Sequence, residues 1–164
     1  MKGNSVNIDF AQLPKNTKLQ ILQLSGTNIH TLDGISIASD LRILHATNNL
    51  IQELPDELYD MTYLQSLFLS FNSITGTISP MFSNLSNLEQ LYLFGNHLSG
   101  TIPKAIASMP ALTDFIVGKN LLSGTIPAKM SAMETLEQFS VLDQEGLDLI
   151  TGPVPSLSRA KNLW

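Results

Sequence analysis

One apolar frame recurs along the sequence with a period of about 24 residues, and this repeat constrains the fold more than any other feature. In the frame that begins at Leu88, apolar residues occupy positions 0, 3, 5 and 10, and an asparagine occupies position 8. We number the frames repeats 1 to 6; they begin at Leu19, Leu41, Leu64, Leu88, Leu112 and Leu136. Such self-similarity indicates a solenoid, because one short repeat cannot bury its apolar face without stacking on its neighbours.

Within each repeat, positions 3 and 5 alternate with positions 2, 4 and 6, which predicts a short β-strand with one buried face. Stacked copies of this strand predict a parallel sheet over a continuous core. The asparagine at position 8 stands where the chain leaves the strand, and its amide both donates and accepts hydrogen bonds. We therefore expect these amides to pair buried backbone groups, at Asn49, Asn72, Asn96 and Asn120.

The pattern L-x-x-L-x-L-x-x-N-x-L resembles that of the leucine-rich repeat family, from about Ile8 to the last residue. Leu98-Ser99-Gly100-Thr101-Ile102-Pro103 and its close copies in repeats 3, 5 and 6 resemble the plant-specific class of repeat. Ile51-Gln52-Glu53-Leu54-Pro55 is similar to the shorter intracellular repeats, so the style changes near Leu64. The resemblance implies an α/β repeat solenoid, a right-handed superhelix with a parallel β-sheet on its concave face. It also implies short helices, turns and short second strands on the convex side.

We expect residues 1–164 to form a single leucine-rich repeat domain with partial repeats at both ends. Leu163-Trp164 begins a seventh repeat, and cysteine-containing caps are missing. We therefore expect either a longer parent protein, with further repeats or a transmembrane segment, or a chain that buries its end against another surface. Repeat 6 carries four extra residues within 142–149, which we interpret as a tolerated surface loop rather than a binding loop. The loop acids Asp143, Glu145 and Asp148 match no known cation-binding spacing.

Composition argues against several classes of function. Charged residues make up 14% of the chain and the net charge is -5, which argues against nucleic-acid binding. With no cysteine, the chain has no disulfide, thiolate metal site or cysteine nucleophile. It has no membrane-spanning apolar run, and no catalytic or cofactor motif accompanies its histidines, so we predict neither enzyme activity nor a cofactor. The compartment stays open: the repeat style favours a cell-surface ectodomain, whereas the missing cysteines and signal peptide favour the cell interior.

The concave face is the expected binding surface, because the resemblance implies that positions 2, 4, 6 and 7 point away from the core. Four aromatic residues of repeats 3 and 4 fall at these positions, on neighbouring strands about 4.8 Å apart. A contiguous exposed apolar patch with a polar rim usually marks an interaction site. The predicted ligand-binding residues are His45, Phe68, Phe71, Tyr92, Phe94, Asp114, Ile116 and Lys119.

Three functions are compatible with this sequence. We favour a non-catalytic recognition module that binds a protein or peptide ligand on the concave face, as in receptor-like members of the family. The second hypothesis is a scaffold segment packed in a larger assembly, whose aromatic residues form a self-stacking ladder that only stabilises the sheet. The third is a carbohydrate or cell-wall binder, with Tyr92 and the phenylalanines as stacking platforms.

Overall fold

The computed structural model describes residues 8–12, 14, 18–145, 150 and 162–163, and these residues form a parallel solenoid. The main sheet has the order β1-β2-β3-β4-β6-β8-β9, and β5 and β7 form a second, two-stranded sheet. The strands are Ile21–Gln23 (β1), Ile43–His45 (β2), Ser66–Phe68 (β3), Gln90–Tyr92 (β4), Ser99–Gly100 (β5), Asp114–Ile116 (β6), Leu121–Leu122 (β7), Gln138–Ser140 (β8) and Asn162–Leu163 (β9). Each repeat adds its strand directly beside that of the repeat before it.

Neighbouring strands of the main sheet pair at equivalent positions of successive repeats. His45, at position 4 of repeat 2, aligns with Phe68 of repeat 3, and Phe68 aligns with Tyr92 of repeat 4. Equivalent side chains therefore lie in columns across the sheet, about 4.8 Å apart from strand to strand. This alignment confirms the parallel sheet predicted from the repeat.

Apolar side chains at positions 0, 3 and 5 fill the core. The leucines that open repeats 2 to 6 are at most 1% exposed, as are most residues at positions 3 and 5 of these repeats. Four phenylalanines belong to this core and not to the concave face: Phe10, Phe82, Phe115 and Phe139.

The asparagines at position 8 connect successive repeats from the inside. Asn96 Nδ2 donates to the carbonyl oxygen of Leu93 at 3.0 Å and to that of Leu69, one repeat earlier, at 3.1 Å. Its Oδ1 accepts from the Ile74 N–H at 3.0 Å. The predicted pairing of buried backbone groups is confirmed, because the same set of bonds recurs at Asn49, Asn72 and Asn120.

The hydrogen-bonded amides at position 8 form a ladder through the stacked repeats, and Gln144 continues this ladder in repeat 6. Its Nε2 donates to the Val117 and Val141 carbonyl oxygens at 3.1 and 2.9 Å, and its Oε1 accepts from the Leu122 N–H at 2.9 Å. Gln144 therefore holds position 8, and the extra residues of repeat 6 follow it. Most of that stretch, residues 146–149 with Asp148, lies outside the described residues, as do 151–161 and Trp164.

The short helices implied for the convex side are 3-10 helices of three to five residues in the described part of the chain. Segments this short form too few hydrogen bonds to offset the unfavourable free energy of nucleating an α-helix. Pro55, Pro103 and Pro127 each directly precede one of them, and Pro55 and Pro103 are in an extended conformation. The helices are Phe10–Gln12, Ile35–Ile37, Asp56–Asp60, Pro80–Asn84, Lys104–Ser108 and Ala128–Ala132. None of the described helices is long and apolar enough to cross a bilayer.

The second sheet accompanies the repeats of plant-specific style. β5 pairs with β7 in parallel, and single β-bridges extend this sheet, one between Thr77 and Ser99 and one between Gly124 and Ile150. Gly76, Gly100 and Gly124 have φ of 81°, 73° and 79°, a left-handed conformation that glycine adopts without steric cost. The second strands implied by the resemblance are therefore present.

Candidate functional site

The position-4 column forms a stack of rings across β2, β3 and β4. His45 and Phe68 have centroids 4.5 Å apart and planes inclined by 7°, and Phe68 and Tyr92 have centroids 5.0 Å apart. All three side chains are half-buried. The neighbours of Phe68 cover both faces of its ring, so the stack presents mainly ring edges to solvent.

Asp114, at position 2 of repeat 5, fixes the end of this stack. The Tyr92 hydroxyl donates to Asp114 Oδ2 at 3.1 Å, and Gln90 Nε2 donates to the same oxygen at 2.9 Å. Gln90 Oε1 accepts from the Ser66 hydroxyl at 2.8 Å, which continues the network to β3. Burial raises the pKa of Tyr92, and the charge of Asp114 and the hydrogen bond to it raise that pKa further. The phenol therefore stays neutral and tied to Asp114.

Phe71 and Phe94 form a second aromatic group, which we call the ridge, at the rim where the strands end. Their ring centroids are 5.4 Å apart and their planes are inclined by 71°, an edge-to-face arrangement. Phe71 is 48% exposed, and Phe94 is half-buried. The ridge is therefore the part of the predicted patch that offers the most aromatic surface to a partner.

Two glycines make room for the rings of the ridge. A β-carbon at Gly95 would lie 2.9 Å from Phe71 Cδ1, and one at Gly118 would lie 3.1 Å from Phe94 Cδ2. Each glycine holds the same position as the aromatic residue one repeat earlier, so each ring leans across the backbone of the next repeat. Sequence reasoning did not include these glycines in the site, although a glycine one repeat after an exposed aromatic residue was a readable signal.

Phe71 adopts a backbone conformation that phenylalanine rarely occupies. Its φ is 56°, in the left-handed region that the whole position-7 column shares. For a residue with a bulky side chain this conformation costs about 1–2 kcal/mol. The other residues of the column are mostly of types that tolerate it, Gly26, Asn48, Gly95, Lys119 and Asp143. A strained, exposed aromatic residue is therefore built into the rim.

The remaining predicted residues extend the same face. Ile116 aligns with Tyr92 and continues the position-4 column, and Lys119 is exposed at position 7, two repeats after Phe71. The structure therefore brings the eight predicted residues together on one face, as a stack, a buried carboxylate and a ridge. Their role in binding a ligand stays a prediction. Within the described residues, no group of three or more His, Asp or Glu side chains could hold a metal ion.

Two family models described as leucine-rich repeats match residues 15–38 and 39–98. Together with the fold, these matches show that the chain belongs to the leucine-rich repeat family. A comparison with curated proteins gives no match.

Solved structures of several plant proteins have the same fold. The ectodomain of the membrane receptor kinase GASSHO1/SCHENGEN3 from Arabidopsis thaliana, in complex with CASPARIAN STRIP INTEGRITY FACTOR 2, is 28% identical with a TM-score of 0.77, over 88% of this chain and 18% of that one. The plant peptide hormone receptor RGFR1, in complex with RGF2, is 27% identical with a TM-score of 0.72, over 89% and 28%. A plant ice-binding protein is 29% identical with a TM-score of 0.69, over 76% and 42%. The chain spans less than a third of either receptor ectodomain.

Proposed function

We propose that this chain is a non-catalytic recognition module that binds a protein or peptide ligand on the concave face, with the ridge as its main contact. The observation that carries the proposal is Phe71, an aromatic side chain that is 48% exposed on a left-handed backbone. Neither its exposure nor its conformation favours the fold, whereas exposed aromatic side chains are frequent hot spots of interfaces. The complexes of GASSHO1/SCHENGEN3 and RGFR1 support a ligand-binding role for this class of domain.

The position-4 stack favours a second candidate, a scaffold segment. His45, Phe68 and Tyr92 contact one another, and Asp114 accepts the hydrogen bond of the last ring. Cross-strand aromatic pairs of this kind stabilise a sheet without any ligand. For this reason the recognition proposal depends on the ridge and not on the stack.

Selection of phage-displayed random linear peptides on the full chain tests the proposal. We expect recovered peptides to bind the wild-type chain and to lose at least ten-fold in affinity for Phe71→Asn and for Phe94→Ala. Tyr63→Ala is the matched control, because Tyr63 is an aromatic residue that is 56% exposed outside the concave columns. Peptides that bind all variants equally, or the recovery of no peptide, would contradict the proposal and favour the scaffold. Preferential binding of β-glucan or pectin oligosaccharides would favour the carbohydrate hypothesis.

A further inference from the structure

Asp114 is a nearly buried carboxylate with neutral hydrogen-bond partners. It is 5% exposed, and its donors are the Gln90 amide and the Tyr92 hydroxyl. Both bonds end on Oδ2, so Oδ1 has no donor in the described part of the chain. A buried charge without an opposite charge is costly, and proteins normally pair it or place it at a functional site.

The residues beside Asp114 on the sheet do not neutralise it. Gln90 and Gln138 align with it on the two neighbouring strands, and Ile116 is the next outward-facing residue of its own strand. All three are uncharged. The carboxylate therefore lies in a row of neutral polar side chains, with one oxygen available towards the concave face.

A second acidic residue lies directly before the neighbouring strand. Glu89 occupies position 1 of repeat 4, directly before β4, and is exposed. The N–H groups of Thr113 and Asp114 donate to the Glu89 carbonyl oxygen at 2.8 and 3.0 Å, which places the backbone of Glu89 beside Asp114. Negative charge at a binding subsite attracts a positively charged partner and repels an acidic one.

We propose that Asp114 anchors a basic side chain, lysine or arginine, of a peptide bound on the concave face. The ammonium or guanidinium group donates to Asp114 Oδ1, and its aliphatic stem packs on Ile116 and on the edge of Tyr92. The inference rests on the proposed function and names the chemistry of its ligand. Gln90 precedes Phe94 by four residues, which corresponds to about 13 Å along an extended chain. One short peptide therefore reaches both the Asp114 subsite and the ridge.

Two parallel selections of phage-displayed peptides, on the wild-type chain and on Asp114→Asn, test this proposal. Asparagine keeps the size of the side chain and an oxygen acceptor for Tyr92 while it removes the charge. Peptides from the wild-type selection should be enriched in lysine or arginine, and those from the variant should not. A synthetic wild-type-selected peptide should bind at least ten-fold more weakly when citrulline or norleucine replaces its basic residue, and Asp114→Asn should abolish that difference.

Asp143→Asn is the matched control, because it removes one exposed negative charge of the same face and leaves Asp114 intact. We expect it to keep the preference for basic peptides, and circular dichroism melting confirms that each variant is folded. Peptides that need Phe71 but show no basic enrichment, or that bind Asp114→Asn as well as the wild type, would overturn the Asp114 inference and leave the proposed function standing. Failure to recover any peptide that depends on Phe71 would overturn both.

Discussion

The side-chain amides of Asn120 and Gln144 donate to the same carbonyl oxygen, that of Val117, at 3.0 and 3.1 Å. The two residues hold position 8 of successive repeats, so glutamine replaces asparagine without interrupting the ladder. The Oε1 of Gln144 also accepts from the Leu122 N–H, in the way that Asn120 Oδ1 accepts from Leu98. The ladder of side-chain amides thus extends to repeat 6, although repeat 6 has no asparagine at position 8.

Replacement of Gln144 by alanine should open the structure locally. The Leu122 N–H would lose its acceptor, and the Val117 and Val141 carbonyl oxygens would lose a donor. We expect hydrogen exchange at Leu122 to become at least ten-fold faster, while exchange at Ile74 in repeat 3 stays unchanged. Amide exchange measured by NMR checks this result. Equal protection of Leu122 in both chains would mean that Gln144 does not continue the ladder.

Replacement of Asn96 by alanine should destabilise the whole solenoid. The Ile74 N–H would lose its acceptor, and the carbonyl oxygens of Leu69 and Leu93 would each lose one of two amide donors, because Asn72 and Asn120 still donate to them. We expect a loss of about 1–3 kcal/mol in the free energy of unfolding, which denaturant titration measures. The control is Asn87→Ala: Asn87 is exposed and donates only to the Thr62 carbonyl oxygen, so it should change stability by less than about 0.5 kcal/mol. Similar losses for the two variants would contradict the role of the ladder.

The sequence predicted the columns of the concave face well, because in-register stacking turns each position of the frame into a row of neighbours. It predicted contacts between unequal positions poorly. Tyr92 at position 4 reaches Asp114 at position 2, and this diagonal hydrogen bond buries a carboxylate that alternation alone places at the surface. Gln144 was not predicted for a different reason. The sequence pattern specifies asparagine at position 8, whereas the hydrogen bonds require only a side-chain amide, which glutamine also has. Side-chain length and direction decide both cases, and the repeat pattern does not encode them.

Replacement of Phe71 should separate binding from stability. Phe71→Asn removes the exposed ring and relieves the strain of the left-handed backbone conformation, because asparagine tolerates that conformation. We expect the free energy of unfolding to change by less than about 1 kcal/mol, since the relief offsets the lost edge-to-face pair with Phe94. Phe71→Ala loses the ring without that relief and should be the less stable of the two. Denaturant titration compares them, and a large loss for Phe71→Asn would show that the ring supports the fold.

Replacement of Gly118 by alanine should displace Phe94 from the ridge. The added β-carbon would lie 2.8 Å from the Leu142 carbonyl oxygen and 3.1 Å from Phe94 Cδ2. We expect a loss of about 1–3 kcal/mol from this overpacking, together with changed ring-proton shifts of Phe94. In the double variant Gly118→Ala/Phe94→Ala, only the clash with the carbonyl oxygen remains. The losses in stability of the two single variants should therefore add up to more than the loss of the double variant. Strict additivity would mean that Gly118 does not make room for the ring.

Removal of the Asp114 charge should change the titration of Tyr92. Burial raises the pKa of Tyr92 first, and the charge of Asp114 and its hydrogen bond add to that shift. In Asp114→Asn the pKa of Tyr92 should therefore fall, yet stay above the ordinary value because the burial persists. The ultraviolet absorbance of phenolate measures the titration, and Tyr92→Phe identifies the contribution of this residue.

The same shift makes a prediction about alkaline stability. Because the folded chain holds Tyr92 neutral, its contribution is fully present below the unfolded pKa of about 10 and is lost as the pH rises through the folded pKa. Stability measured by denaturant titration should therefore decline above about pH 10, less steeply in Tyr92→Phe, which has no proton to lose at this position. Asp114→Asn should lie between the two, since it weakens the shift without removing the phenol. Identical slopes for all three chains would mean that folding does not raise the pKa of Tyr92.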